Sequence, residues 1–252
     1  MPSIDRSTPT PHTLEGLRVA VTGGTSGLGL ALVEALHRRG AAVAFVARGA
    51  EGVAAVARRF PGTHGIVGDV AKKEDTHRLA MQITGALGGL DVLINNASSL
   101  GPVPLALLAD TECEELEEAL ATNLVGPFRL TRVLLGALDA TAREGRRAVV
   151  INIVSDAAVE PYPEWGAYGA SKAALRHMSR IWDAELAERG IRVLAVDPGD
   201  MDTPLHALAL PEADRSTLGR PEDSALGIVE ALESQWKEGE REGRDEAAAA
   251  AV

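Results

Sequence analysis

Tyr168-Gly-Ala-Ser-Lys172, with Ser155 thirteen residues upstream, contains the residue types that move a proton to or from an oxygen. A phenol of ordinary pKa, about 10, is a poor proton donor or acceptor at neutral pH. A cation one helical turn away stabilises the phenolate, and Lys172 falls at i+4 from Tyr168, on the same helix face. A hydroxyl such as that of Ser155, brought close by the fold, could hydrogen-bond a substrate oxygen while the tyrosine moves the proton. That is general acid/base chemistry on a carbonyl or a carbinol. A Tyr-x-x-x-Lys pair is also common on ordinary helix surfaces, so the elements around it must decide.

Those elements alternate. Leu17-Arg-Val-Ala-Val21 reads as a buried strand, followed by Thr22-Gly-Gly-Thr-Ser-Gly-Leu-Gly29 and an apolar-periodic helix, Leu30 to Arg39, ended by Gly40. Strand, glycine turn and helix in that order form a phosphate site: Gly23 makes the turn, Gly27 lets backbone approach a pyrophosphate, and Gly29 lets helix and strand pack closely. Thr25, Ser26 and Leu28 share this loop. A second strand, Ala42 to Val46, ends at Ala47-Arg48 with no carboxylate before Glu51. An acid there would grip a ribose 2′-hydroxyl, whereas a guanidinium suits a 2′-phosphate, so NADP(H) is expected over NAD(H). A third strand, His64 to Val67, leads to Asp69-Val70, where the carboxylate either meets an adenine amino group or caps the next helix, Ala71 to Leu87. Asp91 to Asn96 is a fourth strand. Thr111-Glu-Cys-Glu114 reads as a capping box opening a long helix to about Ala142. Asn123 lies inside that helix, where asparagine is unfavourable unless its side chain has partners. Ala148 to Val154 and Ile191 to Val196 are the fifth and sixth strands. Pro221 opens a last helix, to about Trp236. The pattern predicts a doubly wound parallel sheet of the Rossmann type, three layers deep, α/β/α.

Taken together, the chain resembles the compact branch of the short-chain dehydrogenase/reductase family. The resemblance rests on Thr22-Gly-x-x-x-Gly-x-Gly29, Asp69-Val70, Asn95-Asn-Ala97, Asn123, Ser155, Tyr168-x-x-x-Lys172 and Pro198-Gly-x-x-x-Thr203, in order from Leu17 to about Glu233. It implies that Tyr168 is the acid/base, that Lys172 holds the nicotinamide ribose and lowers the tyrosine pKa, and that Ser155 orients the substrate oxygen. It implies that Asn123 holds a water in a proton relay and that Asn95 braces the sheet beside the cofactor, next to Ala97. Pro198, Gly199, Met201 and Thr203 would embrace the nicotinamide. Three departures stand out. Ser98 occupies the place of the family's glycine after Asn-Asn-Ala, Val154 precedes the serine, and the usual seventh strand is missing after Trp236.

Composition narrows the classes. At 252 residues and 46% hydrophobic, the chain suits one α/β domain, 14–236, between a leader, 1–13, and a charged, alanine-rich tail, 237–252, expected to be disordered. The leader lacks the apolar core of a signal peptide, and no run is apolar enough to span a membrane. A net charge of −11 and 3% aromatics argue against a nucleic-acid partner. Cys113 is the only cysteine and the histidines are scattered, so neither a disulfide nor a metal site is expected, and the compartment is read as cytoplasmic.

The leading reading is an NADP(H)-dependent reductase of ketones, or dehydrogenase of secondary alcohols. A non-catalytic NADP(H)-binding regulator and a structural subunit on the same fold are the alternatives. Loops 98–108, 156–165 and 204–210 are expected to line a mostly apolar substrate pocket. A homodimer is expected through the helices 111–142 and 165–189, with a tetramer open as a second form. The first helix offers Leu116, Leu120, Leu124, Phe128 and Leu135, and a second apolar stripe of Leu130, Val133, Leu134 and Leu138.

Overall fold

The computed structural model describes residues 13–250. Residues 1–12 and 251–252 lie outside it, and with them nearly all of the segment read as a leader. The strands are β1 (Arg18–Thr22), β2 (Ala42–Ala47), β3 (His64–Val67), β4 (Val92–Asn95), β5 (Ala148–Ile153) and β6 (Ile191–Val196). The helices are α1 (Gly27–Arg38), α2 (Ala50–Arg59), α3 (Asp75–Leu87), α4 (Cys113–Leu120), α5 (Gly126–Arg143), α6 (Gly166–Leu186), α7 (Pro204–Ala209) and α8 (Pro221–Ala250). All strand pairs are parallel, in the order β3-β2-β1-β4-β5-β6. The six expected strands are present, and among the described residues no seventh joins them.

The central strands are apolar on both faces because both are covered. On one face Val19, Val43, Phe45 and Ile151 pack with Leu32 and Leu36 of α1, Val53 of α2 and Val229 of α8. On the other, Ala20, Leu93 and Val150 meet Leu79 and Ile83 of α3 and Leu130, Leu134 and Leu138 of α5. The chain doubles back between β1 and β4, so the helices after these strands leave on opposite faces. That opens a crevice at the carboxyl ends of the strands.

Several elements differ from the sequence expectation. The helix α2, on the weakly patterned Ala-Glu-Gly-Val run, was not anticipated. The start of α3 falls at Asp75 and not Ala71, because Asp69 and Asp75 build a turn first: Ala71 N–H donates to Asp69 Oδ1 at 3.0 Å, and Asp69 N–H to Asp75 Oδ2 at 2.8 Å. The capping box is one residue later than expected, with Glu112 at the cap and Glu115 reaching back to its N–H at 3.0 Å. The long helix is not continuous, since a π-helical turn, Ala121–Val125, separates α4 from α5. Its two apolar stripes face different ways. Leu130, Leu134 and Leu138 are buried against the chain's own sheet, while Phe128 is exposed and Leu116, Leu120 and Leu124 are half-buried. The last helix continues past Trp236 to Ala250.

Opposite the crevice, the sheet closes on a buried carboxylate. Asp91 has no exposed surface; Arg18 Nη2 donates to its Oδ1 and Arg146 Nη2 to its Oδ2, each at 2.8 Å. The Arg18 guanidinium is itself held above its usual pKa, chiefly by the hydrogen bond to Asp91. Loss of one member of a buried ion pair strands its partners and costs about 3 kcal/mol or more. Asp91→Ala is therefore expected to lower the unfolding free energy by about that amount in chemical denaturation, while cofactor affinity at the far end of the strands stays unchanged.

Candidate active site

A cavity of about 690 Å³ occupies the crevice, bounded by the glycine turn after β1, the ends of β2 to β6 and the segment that follows β6. Every residue singled out in the glycine turn lines it, as do Arg48, Asp69, Val70, Ala97, Ser155, Tyr168, Lys172, Pro198, Gly199, Met201 and Thr203. Asn95 and Asn123 do not. Successive strand residues face opposite ways. Asn95 therefore points into the α5–α6 layer, where it donates to Asn152 Oδ1 at 2.8 Å and Thr131 Oγ1 at 3.2 Å. These bonds tie β4 to β5 and α5. The next residue, Asn96, lines the cavity instead and ties down the glycine strand by donating to the Thr22 carbonyl at 2.8 Å.

The glycine turn has the form a dinucleotide needs. A Cβ on Gly29 would collide with the Gly23 carbonyl oxygen and lie 2.5 Å from Asn96 Nδ2, so the helix start can only seat here without a side chain. Gly27 has φ +50° and sits under Thr203 of the segment after β6. The start of α1 thus lines the cavity, and a helix N-terminus there is the arrangement that takes a pyrophosphate. Arg48 is exposed on the same wall and forms no ion pair or hydrogen bond among the described residues. Glu51, the first carboxylate after β2, is off that wall. The Thr203 hydroxyl oxygen accepts the His206 N–H at 3.2 Å, capping α7 and holding the segment over the turn.

Tyr168 and Lys172 lie on the first turns of α6, where that helix crosses the end of β5. Tyr168 is packed with Leu100, Ala157 and Ala209, and its ring meets Trp165 edge-on at 5.6 Å. Burial pushes its phenol up to about 12, against hydrogen bonds from Ser155 and Ser98 that pull it down. Lys172 is 2% exposed, and burial drops its ammonium to about 7. Its Nζ donates to the Ile153 carbonyl at 2.8 Å and lies 5.5 Å from the Tyr168 ring centroid. Ser155 Oγ donates to Asp156 Oδ1 at 2.8 Å, and the Tyr162 hydroxyl donates to Asp156 Oδ2 at 2.8 Å. Burial alone would raise the Asp156 carboxyl, but these bonds and the Ala157 N–H hold it below its usual value. Nothing in the sequence pattern marked Asp156 as the partner of the serine, or Tyr162 as the second donor to that carboxylate.

Asn123 occupies the π-helical turn and is wholly buried. Its amide donates to the Ser99 carbonyl at 2.7 Å and Ser171 Oγ at 2.8 Å, and its Oδ1 accepts Ser99 N–H at 2.8 Å and Ser98 Oγ at 3.2 Å. Both donors and both acceptor sites of the side chain are used by protein groups. Asn123 joins the loop after β4 to α6. Such π turns recur at functional sites because they turn a helical side chain out of register. The turn runs into Gly126, where a Cβ would lie 2.9 Å from the Val70 carbonyl oxygen. Among the described residues no helix is long and apolar enough to cross a membrane, and no cluster of side chains could hold a metal ion.

A family model described as short chain dehydrogenase matches residues 18–213. The chain is 32% identical over 232 residues to 3beta-hydroxysteroid dehydrogenase 1 of Eggerthella lenta, covering 86% of each chain. It is 34% identical over 193 residues to a short-chain type dehydrogenase/reductase of Sinorhizobium fredii, and spans only 34% of that longer protein. Among solved structures, 3-ketoacyl-(acyl-carrier-protein) reductase from Brucella melitensis, complexed with NADH, is similar at a TM-score of 0.79 and 27% identity, over 85% of this chain and 90% of that one. A short chain dehydrogenase from Shigella flexneri, complexed with NADP, is similar at a TM-score of 0.78 and 25% identity, over 85% and 90%. With its glycine turn, its buried tyrosine and lysine, and this match over most of its length, the chain belongs to the short-chain dehydrogenase/reductase family of oxidoreductases.

Proposed function

We propose that the chain transfers a hydride between NADP(H) and a ketone or secondary alcohol. The observation that carries this reading is the position of Tyr168: its phenol stands in the cavity wall beside the Ser155 hydroxyl, above a buried lysine, in a crevice that runs on to Arg48. A bound nicotinamide would supply or accept the hydride. The protein's part is proton transfer and position. In the reductive direction Tyr168 gives its proton to the carbonyl oxygen; in the oxidative direction the phenolate removes the hydroxyl proton. Ser155 turns its hydroxyl from Asp156 to the reacting oxygen and fixes it beside the phenol. Lys172 favours the phenolate when protonated, and Arg48 is the group for a 2′-phosphate. Leu100, Trp165, Leu205, Leu208 and Leu210 make the substrate end largely apolar, which favours a hydrophobic or cyclic ketone. The reading extends to a homodimer across α5 and α6, where exposed Phe128 and Ile181 flank Trp182; Phe128 and Trp182 have ring centroids 5.6 Å apart.

Three outcomes are expected. Tyr168→Phe should lower kcat for a cyclic ketone by about 10² to 10⁴, with NADPH affinity by fluorescence titration nearly unchanged. Turnover close to wild type would remove Tyr168 from the reaction. Arg48→Ala should reduce the NADPH over NADH preference in kcat/KM by about ten- to a hundred-fold, the worth of a charge-assisted phosphate contact; an unchanged ratio would place selectivity elsewhere, with Thr25 and Ser26 next. The pH dependence follows from a phenol raised above its ordinary value. Reduction needs the protonated form, which persists across neutral pH and is lost as pH climbs toward 12. Oxidation needs the phenolate, so its kcat/KM should rise by about tenfold per pH unit on the acid side of the Tyr168 midpoint.

A further inference from the structure

We propose that Asp156 is a specificity-determining residue and that the site takes a hydroxyketone and the vicinal diol it becomes. The substrate's second hydroxyl, on the carbon beside the reacting one, donates to the Asp156 carboxylate as the Ser155 hydroxyl leaves it. This rests on the reading of Ser155 as the group that holds the reacting oxygen.

Ser155 Oγ gives its one proton to Asp156 Oδ1 at 2.8 Å and accepts the Ala157 N–H at 3.2 Å. It therefore meets the cavity as an acceptor, with one lone pair left. A ketone oxygen only accepts, so Ser155 can hold a ketone only by giving up its bond to Asp156. That bond runs to a carboxylate, and hydrogen bonds to ionised acceptors are about twice as strong as neutral ones. A simple ketone returns nothing to the carboxylate. Oδ1 keeps the Ala157 N–H at 2.7 Å and Oδ2 keeps the Tyr162 hydroxyl at 2.8 Å, so Asp156 stays in place with one acceptor position open. A hydroxyl on the carbon beside the carbonyl suits that position. Oxygens on adjacent carbons can lie at hydrogen-bond separation from each other, as Ser155 Oγ and Asp156 Oδ1 do. The two pairs can then face one another, with Ser155 donating to the reacting oxygen and the second hydroxyl donating to Oδ1. One O–H leaves the carboxylate and another replaces it. The side chains that donate to Asp156 are both neutral hydroxyls, and no arginine or lysine pairs with it among the described residues. Asp197 and Asp200 also line the cavity, but Ser155 donates to Asp156.

The test compares three ketones: α-hydroxycyclohexanone, cyclohexanone and α-methoxycyclohexanone. The methoxy group keeps the electronic pull of the second oxygen and lacks its proton. In wild type, kcat/KM should favour the hydroxyketone over both others by about ten- to a hundred-fold, the span expected for a charge-assisted hydrogen bond. Asp156→Asn, which keeps an acceptor without the charge, should shrink this preference, and Asp156→Ala should abolish it. No preference in wild type, or one that survives in Asp156→Ala, would overturn the proposal. A second readout needs no turnover. Vicinal cyclohexanediol and cyclohexanol are titrated by calorimetry into the NADPH complex, where no hydride can pass to an alcohol. Wild type should bind the diol more tightly by about tenfold or more, and Asp156→Ala should not. Equal affinities in wild type, or no detectable binding of the diol, reject the proposal. If wild type reduces none of the ketones, the oxidoreductase reading fails, and this titration still decides whether Asp156 receives the second hydroxyl.

Discussion

A lysine ammonium taken almost wholly out of water is the constraint on which this structure turns. Among the described residues Lys172 has one hydrogen-bond acceptor, the last carbonyl of β5, and no ion pair with a carboxylate. Burying a charge so sparsely compensated is costly, and the group responds by shifting its pKa down. The same burial drives the Tyr168 phenol the other way. In water the two groups differ little in pKa, at about 10.4 and about 10. In the protein the amine falls to about 7 and the phenol rises to about 12. Groups pushed apart in this manner mark acid/base sites more often than structural ones.

The fold supplies that burial by stacking rigid parts under the pair. Asn95, Thr131, Asn152 and Ser179 form a buried polar chain across the α5–α6 face: Asn95 donates to Asn152 Oδ1 and Asn152 to Ser179 Oγ, each at 2.8 Å. This chain fixes α6 relative to the ends of β4 and β5. Asn123 then holds the loop after β4 against α6 through Ser99 and Ser171. Tyr168 and Lys172 are therefore aimed by packing, and the carboxylate Asp91 locks the opposite end of the same strands. A fully satisfied buried network of this kind specifies position more than it adds stability.

Much of this was legible in the sequence, for physical reasons that differ by element. The strands were readable because parallel strands buried on both faces are continuous β-branched runs, as in Ala148–Ile153. The glycine turn was readable because Gly29 admits no Cβ. The break in the long helix was not located, because a π turn leaves no periodic signal; only the awkward Asn123 pointed to it. Asn95 was read beside the cofactor while Asn96 is the one on the cavity wall, since a one-residue step along a strand reverses the face and the motif alone does not give the register. Which of the α5 stripes faces the sheet was left open, because both are apolar and only the sheet decides which one it takes. Ser98 was noticed as an extra side chain, while its hydroxyl partners became visible only when α4, α6 and the loop after β4 were brought together.

The most direct measurement is the titration of the Lys172 side-chain nitrogen by heteronuclear NMR. The other lysines, Lys72, Lys73 and Lys237, supply internal references in the same spectra. If burial tunes this site, Lys172 will titrate with a midpoint near 7, well below the other three. A midpoint shared with them, at about 10.4, would mean that the ammonium is solvated and that burial does not set the protonation states of the site.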